Sequence, residues 1–269
     1  MTRWRPTVAE AISAALVCYL LICGLLPWVT APGDPLAIDP VDSFQGPSLS
    51  HWFGTDESGR DLYTRVVHGA GPSLVIGVAA TAIGIGLGIV LGAAAGLGPR
   101  WLDFGTTRLL EVMFAFPGLL LALLFIVIYG PGVATSTVAV GLATAPGYAR
   151  IIRSQMLSVR GAAFVEAAIV LGRRPWSRFS RNILPNVTGT LFVLVTLGVG
   201  QSIVWASSLS YLGLGAQPPT AEWGALLSAG RTYISTAWWL TFFPGLFIVL
   251  SAASATVLGR ALQNRMRNS

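Results

Sequence analysis

Six apolar runs divide this sequence of 269 residues, and they constrain its fold more than any other feature. A helix that crosses the hydrocarbon core of a bilayer needs about 20 mostly apolar residues. Inside the bilayer every backbone N–H and C=O must find a partner within the protein, and a helix provides those partners within its own segment. The runs therefore predict an all-α polytopic membrane protein with six transmembrane helices, near residues 9–29, 73–98, 109–129, 133–149, 187–210 and 237–259.

The run at 133–149 is the weakest, because it is short, contains several hydroxyl side chains and has Pro146 near its end. By hydropathy alone this run could be a buried or re-entrant segment, but the positions of the arginines favour a transmembrane span. All 17 basic residues are arginines, and with six spans and the N-terminus inside only Arg60, Arg65 and Arg231 lie outside. This split follows the positive-inside rule and predicts that both termini are cytoplasmic. The net charge of +6 then requires no nucleic-acid partner.

The first run has features of both a membrane helix and a signal peptide. Arg3 and Arg5 precede it, and Val29-Thr30-Ala31 resembles a cleavage site. The apolar stretch is longer than a typical signal core, so an uncleaved helix is preferred. The predicted organisation is an N-terminal transmembrane helix (1–30), an extracytoplasmic segment (31–71), a membrane core (72–262) and a cytoplasmic tail (263–269).

The residues that the chain lacks exclude several energy sources and chemistries. There is no lysine, so a Walker A loop for ATP hydrolysis is absent. Acidic residues lie almost wholly in loops or at span edges, which disfavours an ion-driven carrier. Glu111 is the exception, and Arg108 three residues earlier suggests an interfacial ion pair. His51 and His68 both lie outside the apolar runs, so neither an intramembrane catalytic pair nor a metal site is expected.

The segment before the second run predicts a short amphipathic helix. Thr55 or Asp56 can cap it, and the apolar residues that follow share one side. They are Leu62, Tyr63, Val66 and Val67. We expect this helix to lie on the outer membrane face. The alternative is a simple connector that leads into the second span.

The second run carries glycines at strict intervals of four residues: Gly84, Gly88, Gly92 and Gly96. Small residues on one face let membrane helices approach closely and gain dispersion contacts. The glycine stripe therefore predicts close helix packing, either within the chain or against a second subunit.

Two further stretches carry helix-breaking residues. Pro117 in the third run predicts a kink, because proline removes a backbone hydrogen bond. After the fifth run, the stretch 210–234 with its glycines and paired prolines predicts an outer loop with a short helix.

An arginine-rich cytoplasmic segment, FVEAAIVLGRRPWSRFSRNILP, separates the fourth and fifth runs. Residues 162–171 favour a helix that ends at Gly172, and Pro175 can start a second helix. One face of the first helix is predicted to hold Phe164, Ala168 and Leu171, and one face of the second Trp176, Phe179 and Ile183. Pro185 is expected to interrupt the pattern before the fifth span.

Two short helices joined by a glycine turn suit docking into a groove of a partner protein. The pair Ala167 and Ala168 exposes little side chain, and Glu166 adds one negative charge. The surrounding arginines are equally compatible with contact to anionic lipid.

The same segment resembles a known family signature. EAAIVLG followed by ILP is similar to the EAA motif in permease subunits of binding-protein-dependent ABC importers, at Glu166, Ala167, Ala168, Gly172, Leu184 and Pro185. Asn182 stands where the general pattern has isoleucine, and a polar residue there is common in the branch that imports dipeptides, oligopeptides and nickel. FGTDESGRD, FAFPGLLLAL, PGYAR, SYLGLGAQPP, EWGALL and WWLTFFPGLFI resemble that branch over roughly residues 50–260. Gly71-Pro72 and a tail without the usual acidic residue depart from it.

The resemblance implies a non-catalytic permease of the bacterial inner membrane with a MetI-like type I importer core. Its EAA loop, at about 150–186, would couple to two cytoplasmic subunits that bind ATP and Mg²⁺. A homologous permease subunit and an extracytoplasmic binding protein complete the implied assembly. Peptides are the implied substrate, and nickel or another small solute is the alternative substrate. An ion-coupled secondary transporter is the alternative class of protein. The sequence does not identify the residues that line the pathway.

Overall fold

The structure, a computed structural model, describes residues 7–268. The predicted basic N-terminus with Arg3 and Arg5 lies outside the described residues, as does Ser269. Eleven α-helices run through the described part: α1 Val8–Leu25, α2 Pro27–Thr30, α3 Leu62–Leu97, α4 Arg100–Ala115, α5 Gly118–Tyr129, α6 Val133–Arg160, α7 Ala163–Val170, α8 Pro175–Arg178, α9 Leu184–Tyr211, α10 Trp223–Gly230 and α11 Trp239–Asn268. Short 3₁₀ turns at Pro40–Asp42 and Arg231–Tyr233 and a π-helical turn at Phe179–Ile183 complete them.

The all-α polytopic architecture is confirmed, but the number of candidate membrane-spanning helices is smaller than the six predicted. Among the described residues, four helical stretches are long and apolar enough to cross a membrane, or five if α4 and α5 count as one broken span. The helix α6 coincides with the weak fourth run and reaches Arg160, 28 residues in all, but it is more polar. Its residues Ala139, Ala149 and Ile152 are fully buried against neighbouring helices. A helix enclosed by protein in this way can tolerate hydroxyl groups at membrane depth.

The glycine stripe of α3 packs against α6 of the same chain. A Cβ at Gly84 would lie 2.6 Å from Oγ1 of Thr144, and one at Gly88 would lie 2.7 Å from Cβ of Tyr148. Gly92 faces the Ala149 carbonyl and Ile152, and Gly96 faces Met156. Any side chain at these four positions would overlap α6, so the two helices approach as closely as their backbones allow.

Pro117 has a larger effect than the predicted kink. It ends α4 at Ala115, and α5 starts at Gly118 after a bend of 89° between the two axes. Phe116 is extended, with φ −96° and ψ 134°. A residue that precedes proline is pushed out of the helical region, so the helix breaks here and does not merely bend.

The prediction of a separate amphipathic helix on the outer membrane face is wrong. The helix α3 begins at Leu62 with Asp61 as its cap, and it continues for 36 residues through Pro72. Asp61 accepts a hydrogen bond from the Thr64 amide at 2.8 Å. Of its apolar residues, Leu62, Val66 and Val67 are buried and Tyr63 is half-buried, and the Val66 carbonyl accepts a hydrogen bond from the indole of Trp223 at 2.8 Å. The segment is thus the start of the second long helix.

Thr55 and Asp56, predicted as caps, instead tie the loop between α2 and α3 to the helices. Asp56 pairs with Arg65 at 2.7 Å, and these two side chains are only 7% and 5% exposed. Arg65 also donates to the carbonyl of Pro219 at 3.4 Å, and the Thr55 carbonyl accepts from the Trp239 indole at 3.1 Å. The buried ion pair thus joins the loop between α2 and α3 to α3 itself, and the bond to Pro219 joins α3 to the loop before α10.

The short helix predicted in the outer loop is present as α10. Glu222 caps it by accepting from the amides of Gly224 and Ala225, both at 2.9 Å. Ser73 of α3 also donates to this buried carboxylate, at 3.4 Å. The predicted pair between Arg108 and Glu111 is confirmed at 2.7 Å, with both side chains more than half exposed.

Candidate functional site

The segment between α6 and α9, which the sequence predicts to be cytoplasmic, forms a protruding elbow, which we define as residues 161–185. The helix α6 ends at Arg160, whose guanidinium donates to the Gly96 carbonyl at 3.2 Å. The chain then forms α7, turns at Gly172, forms α8 and enters α9 through the π-helical turn. Two short helices joined by a glycine turn were predicted from the sequence, and both are present.

Gly172 ends α7 in the way its sequence position predicts. Its φ of +70° lies in the left-handed region, which glycine adopts without steric cost. The amide of Gly172 donates to the Ile169 carbonyl at 2.9 Å, and the amide of Arg173 donates to the Ala168 carbonyl at 3.0 Å. These two bonds form a Schellman motif, which satisfies carbonyls that would otherwise be unpaired at the helix end. The direction of the turn is therefore fixed by the backbone.

The inner face of α7 differs from the predicted one. Val165 and Ala168 are buried, whereas Phe164 and Leu171 point outward. Val165 belongs to an apolar cluster with Ile152 of α6, Ile183 of the π-helical turn and Val187 of α9. Because both faces of α7 are apolar, the spacing of apolar residues could not tell which one packs inward. The elbow is thus anchored to the inner ends of α6 and α9.

The second half of the elbow runs into α9 without interruption, contrary to the expected break at Pro185. Helical structure continues from Pro175 to Tyr211, with Pro185 in the first turn of α9. The π-helical turn spans Phe179–Ile183, and the Leu184 amide donates to the Phe179 carbonyl. The wider turn accommodates a proline because the amide that proline lacks needs no partner in a first turn.

The outer surface of the elbow carries large apolar side chains. Val170 is 87% exposed, Leu171 74% and Trp176 75%. These three residues flank the Gly172 turn in the sequence, and neither hydropathy nor the motif predicted that they are exposed. Periodicity could not have done so either, because apolar residues lie on both faces of α7.

The motif residues divide between this surface and the interior. Glu166 and Ala167 are exposed, and Glu166 lies in the first turn of α7, where its charge complements the helix dipole. Ala168 is 3% exposed and cannot contact a partner. Leu184 and Pro185 are exposed at the other end of the elbow. The predicted docking pair of alanines is therefore one exposed residue and one anchoring residue.

Asn182, which departs from the motif, lies within the π-helical turn. Its backbone carbonyl accepts from the Asn186 side chain at 2.7 Å. Its side-chain Oδ1 is buried and has no hydrogen-bond partner among the residues that the structure describes. A buried acceptor without a donor destabilises its surroundings, so the polar residue costs stability at this position.

Comparison with known proteins places most of the chain in one family. Residues 84–268 match the family described as binding-protein-dependent transport system inner membrane component. The matched region begins at the glycine stripe and includes the whole elbow.

Individual relatives extend the match over nearly the full length. The chain is 37% identical over 251 residues to the dipeptide transport system permease protein DppC of Alkalihalophilus pseudofirmus, which covers 93% of this chain and 82% of that one. It is 40% identical over 265 residues to the glutathione transport system permease protein GsiD of Escherichia coli O1:K1, which covers 98% and 88%. An inward-facing structure of the MetNI methionine ABC transporter shares the fold, with a TM-score of 0.64 at 16% identity over 76% of this chain and 97% of that one.

Proposed function

Because this chain belongs to the family of binding-protein-dependent transport system inner membrane components, we propose that its elbow is the segment through which partner ATPases drive the transport of peptides. The chain itself is a permease subunit of the bacterial inner membrane. It contains no lysine, so it cannot form a Walker A loop. ATP and Mg²⁺ would accordingly be bound by separate cytoplasmic subunits, with a second permease subunit and an external binding protein completing the assembly.

The observation that carries this proposal is the exposed apolar surface around Gly172. Val170, Leu171 and Trp176 each leave most of their surface uncovered in this chain. Clustered apolar side chains on an exposed protrusion mark a site of protein contact, since leaving them in water is unfavourable. The Schellman turn fixes their direction, and the buried Val165 anchors them to the helix bundle.

The elbow also has the mechanical properties that coupling requires. A displaced α7 would pull on Ile152 of α6 and Val187 of α9, because Val165 shares one apolar cluster with both. Protein interiors are close-packed and transmit such displacements as rigid shifts of packed elements. The proposed sequence is therefore that the ATPases close, the elbow moves and the inner ends of α6 and α9 move with it.

Peptides are the proposed cargo because the two relatives described above are named for dipeptide and glutathione transport. We infer that this chain lines half of the pathway and that the second permease subunit lines the other half. Nickel or another small solute is the competing cargo, and uptake assays with each would separate them.

Adjacent alanines in α7 provide a matched test of the docking role. A cysteine at Ala167, which is exposed, should cross-link to the ATPase subunit in the assembled transporter, whereas one at the buried Ala168 should not. The background carries Cys18→Ser and Cys23→Ser, the ATPase carries a scanning set of surface cysteines, and ATP-dependent uptake of a labelled dipeptide by the uncrosslinked transporter reports assembly. Failure of Ala167→Cys to link to any ATPase position in an active transporter would refute the proposed docking. Uptake by the permease alone under an ion gradient would refute ATP coupling altogether.

A further inference from the structure

One face of α9 carries six residues that all border cavities. They recur at intervals of three or four positions, so they lie in a line along the helix. We call them the α9 stripe: Asn186, Thr190, Leu194, Leu197, Gln201 and Trp205. Other exposed side chains of α9, such as Phe192 and Val195, are purely apolar and lie off this line. The helix thus presents one mixed polar face and one face suited to lipid or to a packed partner.

Two cavities follow the stripe and meet at one residue. The first, about 280 Å³, lies at the break between α4 and α5 and is bordered by Phe114, Tyr148, Gln201 and Trp205. The second, about 520 Å³, lies toward the inner ends of α6, α9 and α11. Ile151 of α6 lines both, so the two cavities are neighbours between the helix break and the inner helix ends, and we call the pair the track. Their sizes fall in the range of small-molecule sites.

Gln201 indicates that the first cavity holds water and not lipid. Its side chain is exposed and forms no hydrogen bond to any residue that the structure describes. A primary amide has two donors and one acceptor group, and leaving them unpaired in hydrocarbon is costly. Membrane helices place such groups toward the protein interior or a hydrated cavity. The stripe therefore faces an aqueous space.

The first cavity also offers an aromatic surface. The Trp205 ring packs against the helix break, where a Cβ at Gly118 would lie 2.7 Å from its Cη2 atom. Phe114 lines the same space, and its other contact is the Arg150 guanidinium, 3.7 Å from the ring centroid. Tyr148 adds a ring from α6. Such surfaces accept apolar side chains of many shapes without a fixed hydrogen-bond pattern.

None of the described residues that line the first cavity is charged, and the Arg150 guanidinium stacks on the ring of one of them, Phe114. The cavity can hydrogen-bond a peptide group through Gln201 and hold a side chain against Trp205. Its lining residues themselves provide no counter-charge for an amino or carboxyl terminus. A neutral site of this kind suits substrates that differ in their side chains but share a peptide group.

We propose that the α9 stripe lines the translocation pathway and that Gln201 and Trp205 contact the peptide group and side chain of a substrate in transit. This inference rests on the proposed function. The pathway then runs along the α9 face beside the helix break. This chain recognises the neutral part of the peptide.

Thiol reactivity tests the assignment in the complete transporter. In a background with Cys18→Ser and Cys23→Ser, single cysteines replace Gln201 on the stripe or Phe192 off it, and a charged, membrane-impermeant methanethiosulfonate is the probe. We expect Gln201→Cys to react roughly tenfold faster or more, since the reactive thiolate forms in water and not in apolar surroundings. Alanylalanine with the binding protein and ATP should slow the reaction at position 201 alone.

The outcomes separate this inference from the proposed function. Uptake of alanylalanine is measured for each variant, and a transporter that is active but unreactive at position 201 would overturn the pathway assignment while leaving ATP coupling intact. Equal rates at 201 and 192 would overturn it as well. If Gln201→Cys does not assemble, Gln201→Leu provides a second readout: we expect less uptake of alanylalanine per ATP hydrolysed, and an unchanged ratio would contradict the contact. A parent transporter without ATP-dependent uptake would instead refute the proposed function.

Discussion

The contact between α3 and α6 makes a sharp prediction about Gly88. An added Cβ would lie 2.7 Å from Cβ of Tyr148 and 3.1 Å from the backbone nitrogen of Ala149. Carbon atoms pack best at about 3.5–4.0 Å, so the helices would have to separate by about 1 Å, and a gap of that size forfeits roughly a quarter to a half of each contact's dispersion energy. Because neither neighbouring atom is the end of a flexible side chain, the overlap cannot be relieved by rotation.

Overpacking of this kind costs about 1–3 kcal/mol. For a chain of this size each kcal/mol lowers the melting temperature by roughly 2–4 °C. We therefore expect Gly88→Ala to lower the apparent melting temperature of the detergent-solubilised transporter by several degrees, as measured by loss of the assembled peak on size-exclusion chromatography after heating. The contacts along the stripe are parallel, so Gly92→Ala should behave in the same way.

Gly86 in the same helix is the matched control. A Cβ there would meet nothing within 4 Å. Gly86→Ala adds the same methyl group to the same helix, so any general effect of alanine on α3 cancels in the comparison. Equal melting temperatures for Gly86→Ala and Gly88→Ala would refute the argument that backbone proximity to α6 requires the glycine stripe.

Three further predictions concern the elbow and the ion pairs. Gly172→Val should reduce uptake per ATP hydrolysed more than Gly172→Asn does. The left-handed conformation of Gly172 costs most residues about 1–2 kcal/mol, and asparagine tolerates it best after glycine. An equal ratio of uptake to ATP hydrolysis in the two variants would show that the left-handed turn is not needed. Asp56→Ala should destabilise the transporter by about 3–5 kcal/mol, since it leaves the Arg65 guanidinium buried without its charge partner, and an unchanged melting temperature would contradict this. Glu111→Gln should change stability by less than about 1 kcal/mol, because its pair with Arg108 is exposed; a larger loss would place that pair in a buried setting in the assembly.

The long helices and the glycine turn were predictable because local chemistry decides them. An apolar run of about 20 residues has few alternatives to a membrane helix. Gly172 followed by Pro175 is a local signal, since one residue supplies the left-handed turn and the other the fixed φ of a new helix. For the long helices and for the glycine turn alike, no distant part of the chain competes for the backbone groups that form the structure.

The start of α3 could not be predicted, because distant partners decide it. Asp56 is a reasonable cap by local rules, but its carboxylate is taken by Arg60 and Arg65. Thr55 is held by the loop, where its hydroxyl accepts from the Gln45 amide at 2.8 Å. Asp61 remains to cap the helix. The choice between three neighbouring polar residues thus depends on contacts that the sequence pattern does not contain.

Local rules could locate the elbow in the sequence, but they could not determine which of its faces packs inward. The motif identified the segment, yet it did not show that Ala168 is buried and that Val170 and Leu171 face outward. Which side of a short apolar helix packs inward depends on where α6 and α9 place their own apolar residues. The orientation follows from the tertiary structure alone.

The proposed docking surface and the proposed pathway are connected through α6. Its inner end shares an apolar cluster with the elbow through Ile152, and the neighbouring Ile151 borders both cavities of the track. The glycine stripe holds α6 tightly against α3, so a pull on the elbow would move the pair together and would not bend α6 alone. In this mechanism Ile151 moves with α6 as the elbow is displaced, so the cavities that it borders change shape. A thiol at Ile151 should therefore change its reactivity with ATP, whereas a thiol near the outer end of α6 should change less. The reverse order would show that displacement of the elbow does not reach the cavities.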